Sequence, residues 1–212
     1  MWGLSVSGQT EGDKVTVKRR SATVHRKTKE TDITVSLCLD GEGKCSVRTG
    51  LPFLDHMLEL LTRHSLMDLR IKAAGDLRVD YHHTVEDLGL TLGSALNEAL
   101  GDRKGIRRYG WCYVPMDEAL ARAVIDLGGR PFLVNDMLCR KKRILDFDLS
   151  LMDEFFRAFV VQGRMNLHIV QLRGQEAHHA YESVFKGLAR ALRLACARDE
   201  REKGLPSSKG KI

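Results

Sequence analysis

Between residues 13 and 39 polar and apolar positions alternate, as in KVTVKRRSATVHRKTKETDITVSLCL, and a period of two is that of a strand with one face buried. Asp40 to Gly43 (DGEG) follow with turn chemistry, so the stretch predicts two strands in a hairpin. From Pro52 the period lengthens. PFLDHMLELLTRHS, residues 52 to 65, carries apolar residues at helical spacing, an acid in its first turn and Arg63 and His64 in its last, where the helix dipole favours each sign of charge. LRIKAAGDLRVDY, residues 69 to 81, returns to the strand pattern, and HHTVEDLGLTLGSALNEALGD predicts a helix from His82 to near Gly101.

The second half repeats this order. Strand patterns at 110 to 114, 121 to 127 and 131 to 134 precede a helix pattern, SLMDEFFRAFVVQGRM; NLHIVQLRG then reads as a strand and HHAYESVFKGLARALRLACARDE as a long amphipathic helix. The offset from His82 to His178 is 96 residues and from Asp55 to Asp153 it is 98, which predicts duplication of a unit of about a hundred residues. The expected layout is an α/β fold with one unit over 13–101, a second over 102–200, and a mobile polar tail over 201–212.

Composition narrows the function. With 212 residues, 43% of them hydrophobic and 29% charged, the chain suits a globular protein with a real core. Its five cysteines are odd in number and never in CxxC spacing, which argues against a disulfide framework or a thiolate zinc site and for a reducing compartment. No apolar run approaches the ~18 residues of a membrane span and no basic-then-apolar leader opens the chain, so a cytoplasmic protein without a membrane partner is expected. The net charge of +6 is concentrated only at Lys18–Arg20 and Arg140–Arg143, with no interleaved aromatics. That argues against nucleic acid and suits a small phosphorylated substrate.

The candidate chemistry lies in a repeated motif, HHxxE: His82, His83 and Glu86 in the first half, His178, His179 and Glu182 in the second. On a helix the second histidine of each pair turns about 100° from the first and the glutamate only about 40°, so adjacent imidazoles diverge and cannot easily share one ion. Two ions, each taking one imidazole from each helix, use all six groups. Manganese is the preferred ion, two per site, with iron and zinc as alternatives, because mixed imidazole and carboxylate donors suit it and no cysteine is near. Asp87, next to Glu86, is a candidate for orienting a ligating ring. From these residues alone a dinuclear phosphoester hydrolase is a rival reading.

VDYHHTVEDLGL and GQEAHHAYESVFK, together with TGLPFLDHMLELLTRH, RRYGWCYVPMDEALA, DLGGRPFLV and LPSSKG, resemble the imidazoleglycerol-phosphate dehydratase family of histidine biosynthesis, over nearly the whole chain. The resemblance implies helices of both halves packed between two four-stranded sheets, and a homo-oligomer of 24 subunits with metal sites shared between neighbours. It implies metal ligands at His56, His82, His83, Glu86, His178, His179 and Glu182, with Glu154 standing where many members have a histidine, and catalytic roles for His82, Glu86, His178 and Glu182. It makes Glu30 an acid–base residue, His64 a substrate contact, and Arg108, Arg130, Lys186 and Ser208 phosphate contacts, although Arg107 is Arg108's equal by chemistry alone. Met116, Asp117 and Glu118 are expected to be structural, and His168 to lie on a strand beside the site. The implied reaction is elimination of water from imidazole glycerol phosphate to imidazole acetol phosphate through an imidazolate held by two metals.

Overall fold

The computed structural model describes residues 19–212, so the part of the first strand pattern before residue 19 lies outside the described residues. β1 (Ser21–Lys27) and β2 (Thr31–Cys38) form an antiparallel hairpin that turns at residues 28–30. Asp40–Gly43 does not close this hairpin. It leads instead into β3 (Cys45–Arg48), followed by α1 (Pro52–Ser65), β4 (Asp68–Gly75) and α2 (His82–Leu100). The strand expected to run to residue 81 ends at Gly75, because the chain must turn before His82 can open a helix.

The second half carries β5 (Tyr109–Met116), β6 (Ala119–Asp126), β7 (Phe132–Asp136), the two-residue strands β8 (Arg143–Ile144) and β9 (Phe147–Asp148), α3 (Leu151–Gly163), β10 (Asn166–Arg173) and α4 (Ala177–Cys196). Its main sheet has the order β5-β6-β10-β7, the first sheet β1-β2-β4-β3. Both halves therefore share one topology: two antiparallel pairings, then one parallel pairing, β3 with β4 and β7 with β10. Among the described residues no helix is long and apolar enough to cross a membrane.

Alternation fixes which face of each sheet is covered. In β2 Thr31, Ile33, Val35 and Leu37 are buried while their neighbours are half-buried, and in β6 Ala119, Ala121, Ala123 and Ile125 are buried in the same way. The buried faces meet the helices: α2 lies on β1 and β2, α4 on β5 and β6, and the layers join where α2 packs on α3 and α1 on α4. Phe155, Phe156, Phe159 and Phe185 fill the space between, with ring centroids 5.4–6.1 Å apart. Contact between α2 and α3 is close because Gly89 and Gly93 have no side chains; an added Cβ would lie 2.6 Å from the Phe155 carbonyl oxygen and 2.5 Å from that of Phe159.

At the far end Arg103, only 3% exposed, donates to the carbonyls of Leu127, Gly163 and Arg164 and to Asn97, tying α2, α3 and β6 together.

Candidate metal centre

Both HHxxE motifs open helices, and in each an acid fixes the first turn. Asp80 Oδ1 accepts from the backbone N–H of His82 at 2.8 Å, and Glu176 caps α4 by accepting from that of His179 at 3.0 Å. The histidines therefore stand at helix entrances, beside solvent, while the apolar positions behind them enter the core.

Packing of α1 on α4 brings together three groups 126 or fewer residues apart. His56 Nε2 lies 3.0 Å and His178 Nε2 3.1 Å from Glu182 Oε1, and the two rings are 5.4 Å apart. All three donor atoms lie within 4.8 Å of one another. Phe53 sits edge-on to His178 at 5.9 Å. Lys186 donates to the second oxygen of Glu182 and reaches Met116 Sδ at 3.3 Å. Burial alone would raise the Glu182 carboxyl, but hydrogen bonds from Lys186, His56 and His178 outweigh it and hold the group down at about 2. An ionised carboxylate with two imidazole nitrogens, and no thiol, is a donor set that a divalent cation such as manganese, iron or zinc accepts.

The other expected ligands do not join this group. His82 Nε2 is 3.8 Å from Glu86 on its own helix. His83 instead gives Nδ1 to Asp76 Oδ2 at 3.0 Å, with Glu30 Oε1 3.8 Å from its Nε2. His179 repeats the pattern, Nδ1 on Glu118 Oε2 at 2.8 Å and Asp117 Oδ2 3.7 Å from Nε2. Donating to Asp76 and Glu118 raises the proton affinity of the two rings. Rings 82 and 83 stand 6.0 Å apart at 79°. Glu154 lies half-buried in the first turn of α3. Among the described residues only His56, His178 and Glu182 converge closely enough to hold an ion. His82, His83, Glu86, Glu154 and His179 stand outside this cluster.

The groups expected to hold phosphate are divided too. His64, in the last turn of α1, is half-buried; burial and then the charges of Lys186 and Arg190 lower its proton affinity, so its ring stays neutral near pH 7. Arg108 is at the opposite end of α4. Its backbone N–H meets the Ala195 carbonyl, and its guanidinium is committed to Asp126 at 2.6 Å and to the Pro206 carbonyl at 2.7 Å. From Glu182 to Ala195 the helix rises about 20 Å. Arg130 and Ser208 are exposed near Arg108, because the tail is tied there: Pro206 to Arg108, and Ile212 against Gly129.

Three expectations are corrected. Asp87 does not orient a ligand; it is buried and accepts from Arg26 Nε at 2.7 Å and the Thr31 hydroxyl at 2.5 Å, which a buried carboxylate requires. His168 is not beside the site but on the outer face of its sheet, 6.3 Å from the Phe132 ring. Glu118 is more than a structural turn residue, since it bonds His179. The MDE triplet at a hairpin and the acid at the end of β4 were the available signals for these contacts.

The family model described as imidazoleglycerol-phosphate dehydratase matches residues 49–192. Relatives bearing that name include one from Chromobacterium violaceum, 56% identical over 194 residues (91% of this chain and 98% of that one). Another, from Methylorubrum extorquens, is 54% identical over 194 residues (91% and 100%). Among solved structures, imidazoleglycerol-phosphate dehydratase from Staphylococcus aureus aligns with a TM-score of 0.77 at 39% identity, covering 84% of this chain and 99% of that one. IGPD from Pyrococcus furiosus in complex with (S)-C348 aligns with a TM-score of 0.77 at 38% identity, covering 89% and 100%.

Proposed function

This chain belongs to the imidazoleglycerol-phosphate dehydratase family, and on that premise we propose that it eliminates water from imidazole glycerol phosphate to give imidazole acetol phosphate, a step of histidine biosynthesis. The observation that carries the reading is the trio of His56, His178 and Glu182, with its donor atoms within 4.8 Å of one another and its carboxylate ionised. These three residues would hold one manganese ion, and His82, His83, Glu86, Glu154 and His179 would supply donors for completing that site and a second one. When bound, such cations would supply Lewis acidity that makes the substrate's imidazole ring more acidic, each unit of pKa being worth about 1.4 kcal/mol.

Elimination needs such help because no carbonyl acidifies the C–H bond beside the leaving hydroxyl. Glu30, exposed and 3.8 Å from His83, moves the proton at carbon. His64, neutral and close to Lys186, offers a donor to substrate. Lys186, Arg108, Arg130 and Ser208 bind the phosphate. One ring, three carbons and a phosphate cannot span the roughly 20 Å of α4 between Glu182 and the Arg108 end. That separation supports completion of each site by a second copy of the chain, within a homo-oligomer of 24 subunits. We place the protein in the cytoplasm.

The test is incubation of manganese-loaded protein with imidazole glycerol phosphate. The ketone product should appear at a rate dependent on metal, and His178→Ala and His82→Ala should each lose bound metal and activity. Release of inorganic phosphate in place of the ketone would restore the hydrolase reading, which the relatives named above do not support.

A further inference from the structure

His83 and His179 are held alike by acids that come from different elements of the two halves. Asp76 lies just past β4, its own N–H on the Glu30 carbonyl at 3.1 Å, and takes Nδ1 of His83. Glu118 lies in the β5–β6 turn beside Asp117, whose φ is 47°, and takes Nδ1 of His179 with Oε2 while Oε1 accepts from the backbone N–H of Glu176 at 3.3 Å. Glu176 is itself the cap of α4. The residue that occupies the Glu118 region of the first hairpin is Glu30, and it faces the other nitrogen of His83. The same ring geometry is thus reached from non-corresponding positions, which copying of one unit would not by itself produce.

A carboxylate can only accept, so the ring nitrogen facing it must carry the proton. In a neutral imidazole the remaining nitrogen then holds the lone pair. In both rings that nitrogen is Nε2, and the acids nearest to it, Glu30 at 3.8 Å and Asp117 at 3.7 Å, are too distant for direct hydrogen bonds. We infer that Asp76 and Glu118 are positioning residues that fix His83 and His179 as Nδ1–H tautomers, turning Nε2 outward as the nitrogen that binds a cation. This rests on the metal-dependent reading above. It assigns to two acids the part that spacing alone would give to Asp87.

The test uses Asp76→Asn and Glu118→Gln in the full chain. An amide can turn its NH2 toward Nδ1 and select the opposite tautomer, with little change of shape. Glu118 lies on a half-exposed turn, and an unchanged urea midpoint of the metal-free protein verifies that each variant is folded. Manganese affinity, measured by equilibrium dialysis with free ion counted by electron paramagnetic resonance, should fall about 10- to 100-fold in each variant. Long-range ¹⁵N–¹H spectra of metal-free protein should show Nδ1–H on both rings, converting to Nε2–H on the affected ring. Variants that bind manganese as tightly as the unsubstituted chain, or native rings bearing Nε2–H, overturn the inference while leaving the dehydratase reading intact. Failure of the unsubstituted chain to bind any divalent cation overturns both.

Discussion

Replacement of Gly89 by alanine sets two principles against each other. Helix propensity alone predicts a gain of about 1 kcal/mol, since glycine is the poorer helix former by that amount. The packing predicts the reverse. A Cβ at residue 89 would lie 2.6 Å from the Phe155 carbonyl oxygen and 2.8 Å from Ala158 Cβ, whereas ordinary contact begins at 3.4 Å. Backbone oxygen cannot rotate away, so α3 must retreat by 0.8 Å, the difference between these distances. Overpacking of this kind costs about 1–3 kcal/mol, and gaps opened elsewhere in the α2–α3 contact lose a quarter or more of their dispersion energy. The net expectation is a loss of about 1–2 kcal/mol, or about 2–8 °C in Tm. Because Glu86 lies three residues before Gly89 and Glu154 one residue before Phe155, the shift also displaces expected ligands. Activity should fall further than stability does, toward the 10²-fold that a 1 Å misplacement can cost. Urea unfolding at constant m-value measures the first quantity and steady-state turnover the second. Gly204→Ala, with open space around it, is the control and should stay within about 0.5 kcal/mol. A Gly89→Ala protein as stable as the parent would refute the close-packing argument.

Arg103→Met should destabilise the chain by about 3 kcal/mol in urea, because it strips four hydrogen bonds from a buried junction and leaves carbonyls unpaired. The Arg20 guanidinium, hydrogen-bonded to Asp40, holds that carboxyl below its ordinary 3.8. A depressed folded value contributes stability that is present above pH 3.8 and lost as pH falls below 3.8 through the lower folded value, so Asp40→Asn should flatten the acid limb of a stability–pH curve measured by thermal melting. Chelation should abolish turnover yet leave the far-ultraviolet circular dichroism unchanged, since the core between the sheets is apolar and independent of metal. Loss of helix signal on chelation would mean that the ion holds the fold.

The helices were legible from local pattern. α1 begins at Pro52 and ends at Ser65, where proline, period and terminal charges place it, and α2 begins at His82 as its motif implies. β3 was not: Cys45–Arg48 is short, largely exposed and without alternation, and it becomes a strand only because α1 returns the chain parallel to it as β4. The HHxxE spacing, with its diverging imidazoles, predicted by itself that candidate ligands stand together at two helix entrances, and both motifs do open helices. It could not say that His56 would meet Glu182 across 126 residues, a distance no periodicity encodes. Nor could it choose among neighbouring acids. Asp87 stands one turn from His83 in sequence, but burial obliges it to seek Arg26 and Thr31 on the adjoining sheet, and only the assembled chain brings Asp76 to the ring. Local pattern determined which groups could act; the packing of helices and strands decided which of them meet.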